Sequence, residues 1–110
     1  MTWYLFLDSE RVPKDKVGWT ICRSTEEALY YSRIHGLPKF MSIDYDLGTH
    51  KGIPDNTLIF LKRLTDEIWD KISEPPLYRV HTDNLSEMME IESYMDDWFR
   101  SWTPVFNKGK

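Results

Sequence analysis

Apolar residues in this chain fall into short runs separated by polar, glycine- and proline-bearing segments, and the repeat of those runs alternates between strand-like and helix-like periods. Trp3-Tyr4-Leu5-Phe6-Leu7, Trp19 to Arg23, Phe40 to Asp44 and Leu77 to His81 are each too short for a helix. They are rich in aromatic and branched side chains, which predicts four strands. Between the second and third, Ser24-Thr25-Glu26-Glu27 has the form of a capping box and Gly36 with Pro38 forms a stop, so a helix is expected from about Thr25 to His35. A second helix is expected to begin near Pro54, with Leu58, Leu61, Leu64, Ile68 and Ile72 at helical spacing. A third starts at Asn84, which pairs with Glu87 as a second capping box. Met88, Ile91, Met95, Trp98 and Trp102 trace its core-facing stripe.

Loops are expected over Ser9 to Gly18, where Pro13 and Lys14-Asp15-Lys16 mark exposure, and over Gly48 to Gly52. Pro75-Pro76 ends the linker before the fourth strand. Residues 1–102 read as one domain and 103–110 as a flexible tail, with no internal repeat or low-complexity segment. The order strand, strand, helix, strand, helix, strand, helix describes an α/β fold with an open parallel sheet of about four strands. The unbroken apolar third strand suits a central position covered on both faces. Right-handed crossovers give the strand order 2-1-3-4. That order delivers Asp8, Asp44 and His81 to one edge, at the carboxyl ends of three strands, where open α/β sheets bind ligands. Their side-chain tips are then expected within about 10 Å of one another, roughly the span of a metal site.

Composition narrows the function classes. The chain has 110 residues, 41% hydrophobic and 15% aromatic with five Trp, which is the composition of a folded domain rather than a disordered segment. A net charge of -4 disfavours a broad electrostatic grip on duplex nucleic acid, though local phosphate contacts remain open. Cys22 stands alone, so neither an intrachain disulfide nor a cysteine metal cage is available, which fits a reducing, cytoplasmic setting. No apolar run reaches the roughly 18 residues of a membrane helix, and the amino terminus lacks signal-peptide order.

The candidate chemistry is acidic. Ile43-Asp44-Tyr45-Asp46-Leu47-Gly48 ends an apolar run with two carboxylates, and Asp8 ends another. Oxygen-rich clusters suit hard divalent cations such as Mg2+ or Mn2+, whereas Asp near Gly is also ordinary turn chemistry. Both readings stand at this level.

Taken in order, Leu5-Phe6-Leu7-Asp8-Ser9-Glu10-Arg11, Gly18-Trp19, Glu26-Glu27-Ala28, Ser42 to Gly48 and His81-Thr82-Asp83-Asn84 resemble the motifs of the cyclic-phosphate processing receiver domains, small bacterial and phage proteins. The resemblance covers residues 3 to about 95. It implies a truncated flavodoxin-like, receiver-like fold lacking the first helix and the last strand and helix of a full receiver, and an activity on cyclic or terminal phosphates. The chain carries Ser9 where the family usually shows a second acid, and Tyr45 where it shows a histidine between the two acids. His50, in the following loop, could swing back in place of that histidine, though a solvated loop histidine is the more ordinary reading.

On this reading Asp8, Asp44 and Asp46 are the expected metal ligands, and His81 with Asp44 the expected catalytic residues, His81 as general acid or base. Arg11, Asn84 and Thr82 are the expected substrate-binding residues: Arg11 as a planar fork for phosphate oxygens, Asn84 at a helix amino terminus, Thr82 just after the fourth strand. The expected partner is a phosphate-bearing nucleotide or RNA end. The alternatives are a catalytically degenerate receiver-like module that binds a protein through its aromatic and acidic surface, and a phosphoacceptor receiver using Asp44. The last is disfavoured because only one acid directly follows the first strand and no fifth strand supplies a lysine.

Overall fold

The computed structural model describes residues 2–15 and 18–103. In chain order the elements are β1 (Tyr4–Leu7), β2 (Trp19–Cys22), α1 (Thr25–His35), β3 (Phe40–Ile43), β4 (Asp46–His50), β5 (Ile53–Asn56), α2 (Thr57–Glu67), β6 (Leu77–Val80) and α3 (Leu85–Ser101). The four expected strands form one sheet in the order β2-β1-β3-β6, parallel throughout, and the chain therefore has the expected truncated receiver-like α/β architecture.

Strand alternation divides the sheet into two unlike faces. Leu5, Leu7, Met41 and Ile43 point to one side and join Ala28 and Leu29 of α1, Phe60, Leu61 and Leu64 of α2, and Ile91, Met95 and Trp98 of α3 in the core. All but Trp98 of these are fully buried, and each large side chain removed from water contributes roughly 1.5–3 kcal/mol. The opposite face carries Tyr4, Phe6, Trp19, Phe40, Ser42 and Arg79, with Trp19 edge-on to Tyr4, Phe6 and Phe40. β3 is covered on both faces at its carboxyl half, where Ser42 is buried on one side and Met41 and Ile43 on the other, but the two covers differ. The crossover rule explains why: β2 to β3 and β3 to β6 both step toward β6 and share one face, whereas β1 to β2 steps the other way and crosses the opposite face. That connection contains no helix among the described residues, so the second face is roofed only by a loop.

Local signals at the helix starts operate as read, with one shift. Ser24 Oγ accepts from the Glu27 amide at 3.1 Å, and Asn84 Oδ1 from the Glu87 amide at 3.0 Å. The glutamates reach elsewhere than the cap amides: Glu27 accepts from Arg23 N–H and Glu87 from the Thr82 hydroxyl.

Two expectations are corrected around α2. Residues 46–56 form an antiparallel hairpin, β4 with β5, rather than a loop leading into a helix. Pro54 lies in β5, and Asn56 caps α2 by accepting from the Ile59 amide at 3.1 Å. At the other end α2 stops at Glu67. Asp70 Oδ1 takes the amides of Ile72 and Ser73, a local turn that competes with further helix, and Ile72 lies half-exposed beyond it. The expected tail falls outside the described residues from 104 onward; Thr103 donates its amide to Lys71 O at 3.2 Å.

Candidate functional site

The parallel ladder runs one residue past the strands. Asp8 N donates to Cys22 O at 3.1 Å, Asp44 N to Leu7 O at 2.9 Å and His81 N to Ile43 O at 2.9 Å, so all three sit side by side at the carboxyl edge of the sheet. Because alternation has period two, the row behind them on the same face is Phe6, Ser42 and Arg79, which are themselves in register.

Asp8 is fully buried, and its carboxylate accepts three hydrogen bonds and faces one guanidinium. Oδ1 accepts from the amides of Glu10 (2.9 Å) and Arg11 (2.8 Å). Oδ2 lies 2.9 Å from His81 Nε2, its hydrogen-bond partner, and forms an ion pair with Arg11 Nε at 3.0 Å. Burial acts to raise this carboxyl, but the two amides, the Arg11 charge and His81 outweigh it and hold it below the ordinary range. Arg11 then reaches across to Asp44 Oδ2 at 3.3 Å and His81 O at 3.2 Å, so one guanidinium bridges the two acids. Asp44 Oδ1 receives the Tyr45 amide at 2.8 Å.

His81 is held on both ring nitrogens. Nε2 faces Asp8, and Nδ1 lies 3.1 Å from Ser42 Oγ, which in turn accepts from Arg79 Nε at 3.0 Å. The Phe6 ring stacks on the imidazole at 5.1 Å and 13°, fixing its plane. Burial lowers the His81 ionisation below its ordinary value, even though Asp8 and Asp44 pull it upward. A neutral ring facing the Asp8 carboxylate carries its proton on Nε2, leaving Nδ1 as an acceptor for the Ser42 hydroxyl. Beside this group lies a cavity of about 450 Å³ lined by Phe6, Ser42, Arg79, His81 and the loop residues Arg11 to Asp15. The guanidinium of Arg79 lies over the Trp19 ring at 5.6 Å.

Asp8, Arg11, Asp44 and His81 are thus brought together as expected. Asp46, Thr82 and Asn84 are not. Asp46 is exposed on β4 and its Oδ1 accepts from the Gly48 amide at 2.8 Å, the turn role rather than the ligand role. Thr82 donates to Glu87 and accepts the Asn84 amide, and Asn84 caps α3, so both are used in starting that helix. Tyr45 packs against the helical core and donates to Glu90 Oε1 at 3.2 Å. His50 bonds Leu47 O at 2.8 Å and lies 3.8 Å from Asp55, so it does not replace the missing histidine.

The expected divalent-metal set does not fit this arrangement. Asp8 already accepts three hydrogen bonds and faces the Arg11 charge, Asp46 is engaged elsewhere, and among the described residues no three His, Cys, Asp or Glu side chains are grouped to hold a metal ion.

Ser42 and Arg79 were missed by sequence reading. The signal was present: each lies two residues before a candidate, Ser42 before Asp44 and Arg79 before His81, and hence on the same face.

A parallel sheet with acids, an arginine and a histidine at its carboxyl edge places the chain among receiver-like α/β domains, a class that fixes the fold and not a reaction. Within it, the cyclic-phosphate processing receiver domain matches residues 3–97, and the chain belongs to that family. The curated proteins and the solved structures compared with the chain give no match. Among the described residues no helix is long and apolar enough to cross a membrane.

Proposed function

We propose that the chain is a phosphoester enzyme that opens or removes a cyclic or terminal phosphate on a nucleotide or RNA end, and that it does so in the cavity between the open sheet face and the loop from Arg11 to Asp15. The observation that carries the reading is the Asp8–His81 pair: a fully buried carboxylate holds an imidazole at 2.9 Å, beside a cavity lined by three cations, Arg11, Lys14 and Arg79, against one acid, Asp15. Arg11, Lys14 and Arg79 supply positive charge for a phosphate, Phe6 offers an apolar wall, and His81 supplies a proton acceptor near working pH. No step is routed through a metal. Arg11 occupies the position between Asp8 and Asp44 where a divalent ion would stand, and its fork matches phosphate oxygens.

The test is turnover of 2′,3′-cyclic mononucleotides and of RNA ending in a 2′,3′-cyclic phosphate, with EDTA and with Mg2+ or Mn2+. The expected result is ring opening that survives EDTA and falls roughly 100-fold or more in His81→Ala. No turnover on the whole panel under any of these conditions overturns the proposal. A second reading, a non-catalytic module that binds a protein, is favoured by one observation: Tyr4, Ile21 and Leu77 stand partly exposed on the face that no helix covers.

A further inference from the structure

We propose that Ser42 is the nucleophile of this site, with His81 as its base and Asp8 as the group that orients the base. The inference rests on the cavity being a phosphoester site and goes further by naming the reacting atom. Proton accounting leads to it. Asp8 accepts the Nε2 proton of His81, so neither hydrogen-bonding position of the imidazole is open to a ligand: Nε2 is given to Asp8 and Nδ1 to Ser42. Until Ser42 Oγ has itself reacted and freed Nδ1, His81 therefore exchanges protons with the cavity only through the Ser42 hydroxyl. That hydroxyl has one proton and two lone pairs. One lone pair accepts from Arg79 Nε at 3.0 Å, which directs the proton to Nδ1 at 3.1 Å and leaves the second lone pair as the nucleophilic position.

Ser42 is buried as a residue yet lines the cavity, and Arg79, which also lines it, is placed to stabilise negative charge on the oxygen. The arrangement Asp–His–Ser is the serine-nucleophile constellation defined by roles rather than by chain order, here with the two ring nitrogens exchanged. Phe6 stacked on the imidazole keeps the ring from rotating out of line.

The chemistry balances. Ser42 Oγ attacks the phosphorus of a 2′,3′-cyclic phosphate, its proton passes to His81 Nδ1, and the bond from phosphorus to O2′ breaks. His81 returns the proton to O2′, leaving a nucleotide joined through its 3′-phosphate to Ser42. A water molecule then gives a proton to His81 and attacks phosphorus. The Oγ–phosphorus bond breaks, Ser42 regains its proton from His81, and a 3′-phosphate with a free 2′-hydroxyl is released. Water is the sole co-reactant.

A fluorophosphonate probe tests the assignment without needing the natural substrate. The intact chain is incubated with the probe, the mass gain is read on the whole protein, and the modified peptide is sequenced. The expected result is one adduct per chain on Ser42, absent in Ser42→Ala and slowed about 100-fold or more in His81→Gln, with near-ultraviolet circular dichroism confirming that both variants fold. Failure of Ser42→Ala to fold leaves the wild-type peptide map as the deciding measurement. Absence of an adduct on wild-type Ser42 overturns the proposal. An adduct on Ser42 without turnover of any cyclic phosphate supports the nucleophile and removes the substrate class. Cyclic-phosphate turnover that persists in Ser42→Ala overturns the nucleophile and leaves the phosphoester function standing.

Discussion

Replacing Asp8 by Asn changes one atom of a fully buried side chain and turns an acceptor into a donor. The amide oxygen of Asn keeps the two bonds from the Glu10 and Arg11 amides, but without a charge these fall from the charge-assisted to the neutral class, a loss of roughly 0.5–1 kcal/mol each. Arg11 Nε, 3.0 Å from Oδ2, would face an N–H group. Its guanidinium is 55% exposed, so that arm accounts for about 0.5–1 kcal/mol at most. The contact with His81 survives only if the imidazole changes tautomer, Nε2 becoming the acceptor and Nδ1–H donating to Ser42. The sum is a destabilisation of about 1.5–3 kcal/mol, or on the order of 6–13 °C in Tm for a domain of this size. Asp8→Ala leaves two amides and the ring N–H without partners and should lose more, about 3–5 kcal/mol. Urea unfolding followed by tryptophan fluorescence measures both, and nitrogen-15 spectra of the His81 ring report the tautomer. An Asp8→Asn variant as stable as the parent would refute the account, and a more stable one would mean that repulsion between Asp8 and Asp44 outweighs the Arg11 bridge.

Three further outcomes are expected. His81 is lowered by burial and Asp8 is lowered by its amide and charged partners, so for both groups the unfolded chain binds protons more readily than the folded one. Their contribution is complete above about pH 6.5 for His81 and about pH 3.9 for Asp8, and drains as pH falls through each lowered folded value. Urea midpoints measured from pH 8 to 3 should fall on acidification, and a rise between pH 7 and 5 would refute the sign. Mg2+ or Mn2+ at millimolar concentration should shift Tm by less than about 1 °C, because the Arg11 charge already faces both Asp8 and Asp44; a saturable rise by mass action would restore the Asp8, Asp44 and Asp46 metal set. Cys22 is buried and its thiol is pushed up to about 12 by burial, with Glu27 adding to the shift, so iodoacetamide at pH 8 should label it roughly 100-fold more slowly in the folded chain than in urea. Prompt labelling of the folded protein, read by mass, would contradict that burial.

The parts of the fold legible in the sequence were those where one local rule suffices. Short apolar runs marked β1, β2, β3 and β6, and side-chain caps at Ser24 and Asn84 marked α1 and α3 to the residue. The hairpin of β4 and β5 was illegible because its usual marker is missing. His50 pairs with Ile53, so the loop is Lys51-Gly52, with φ of 54° and 80°, a turn that ordinarily announces itself as Asn-Gly or Asp-Gly. Pro54 added to the confusion, since proline suits the first turn of a helix as well as a strand edge. The site divided along the same line. Asp8, Asp44 and His81 follow from strand ends and the crossover rule, and the cap at Asn84 and the turn at Asp46 follow from local rules too, whereas the bond of Thr82 to Glu87 depends on how the chain turns into α3.

Arg11 connects the fold to the chemistry. Two carboxylates at adjacent strand ends repel unless a cation stands between them, and either a divalent ion or a guanidinium meets that need. Here the loop after β1 turns back on Asp8 through the Glu10 and Arg11 amides, which aims the Arg11 side chain across the strand ends at Asp44. Arg23 donates to the carbonyls of Asp8 and Arg11 and ties the same loop to the end of β2. The connection that carries Arg11 is the one the crossover rule sends over the face without helices, so the residue that neutralises the acids also forms the wall of the cavity above Ser42 and Arg79. A helix in that connection would have covered the face and closed the cavity. With a loop there instead, Ser42 and His81 line the cavity while Asp8 stays buried behind them.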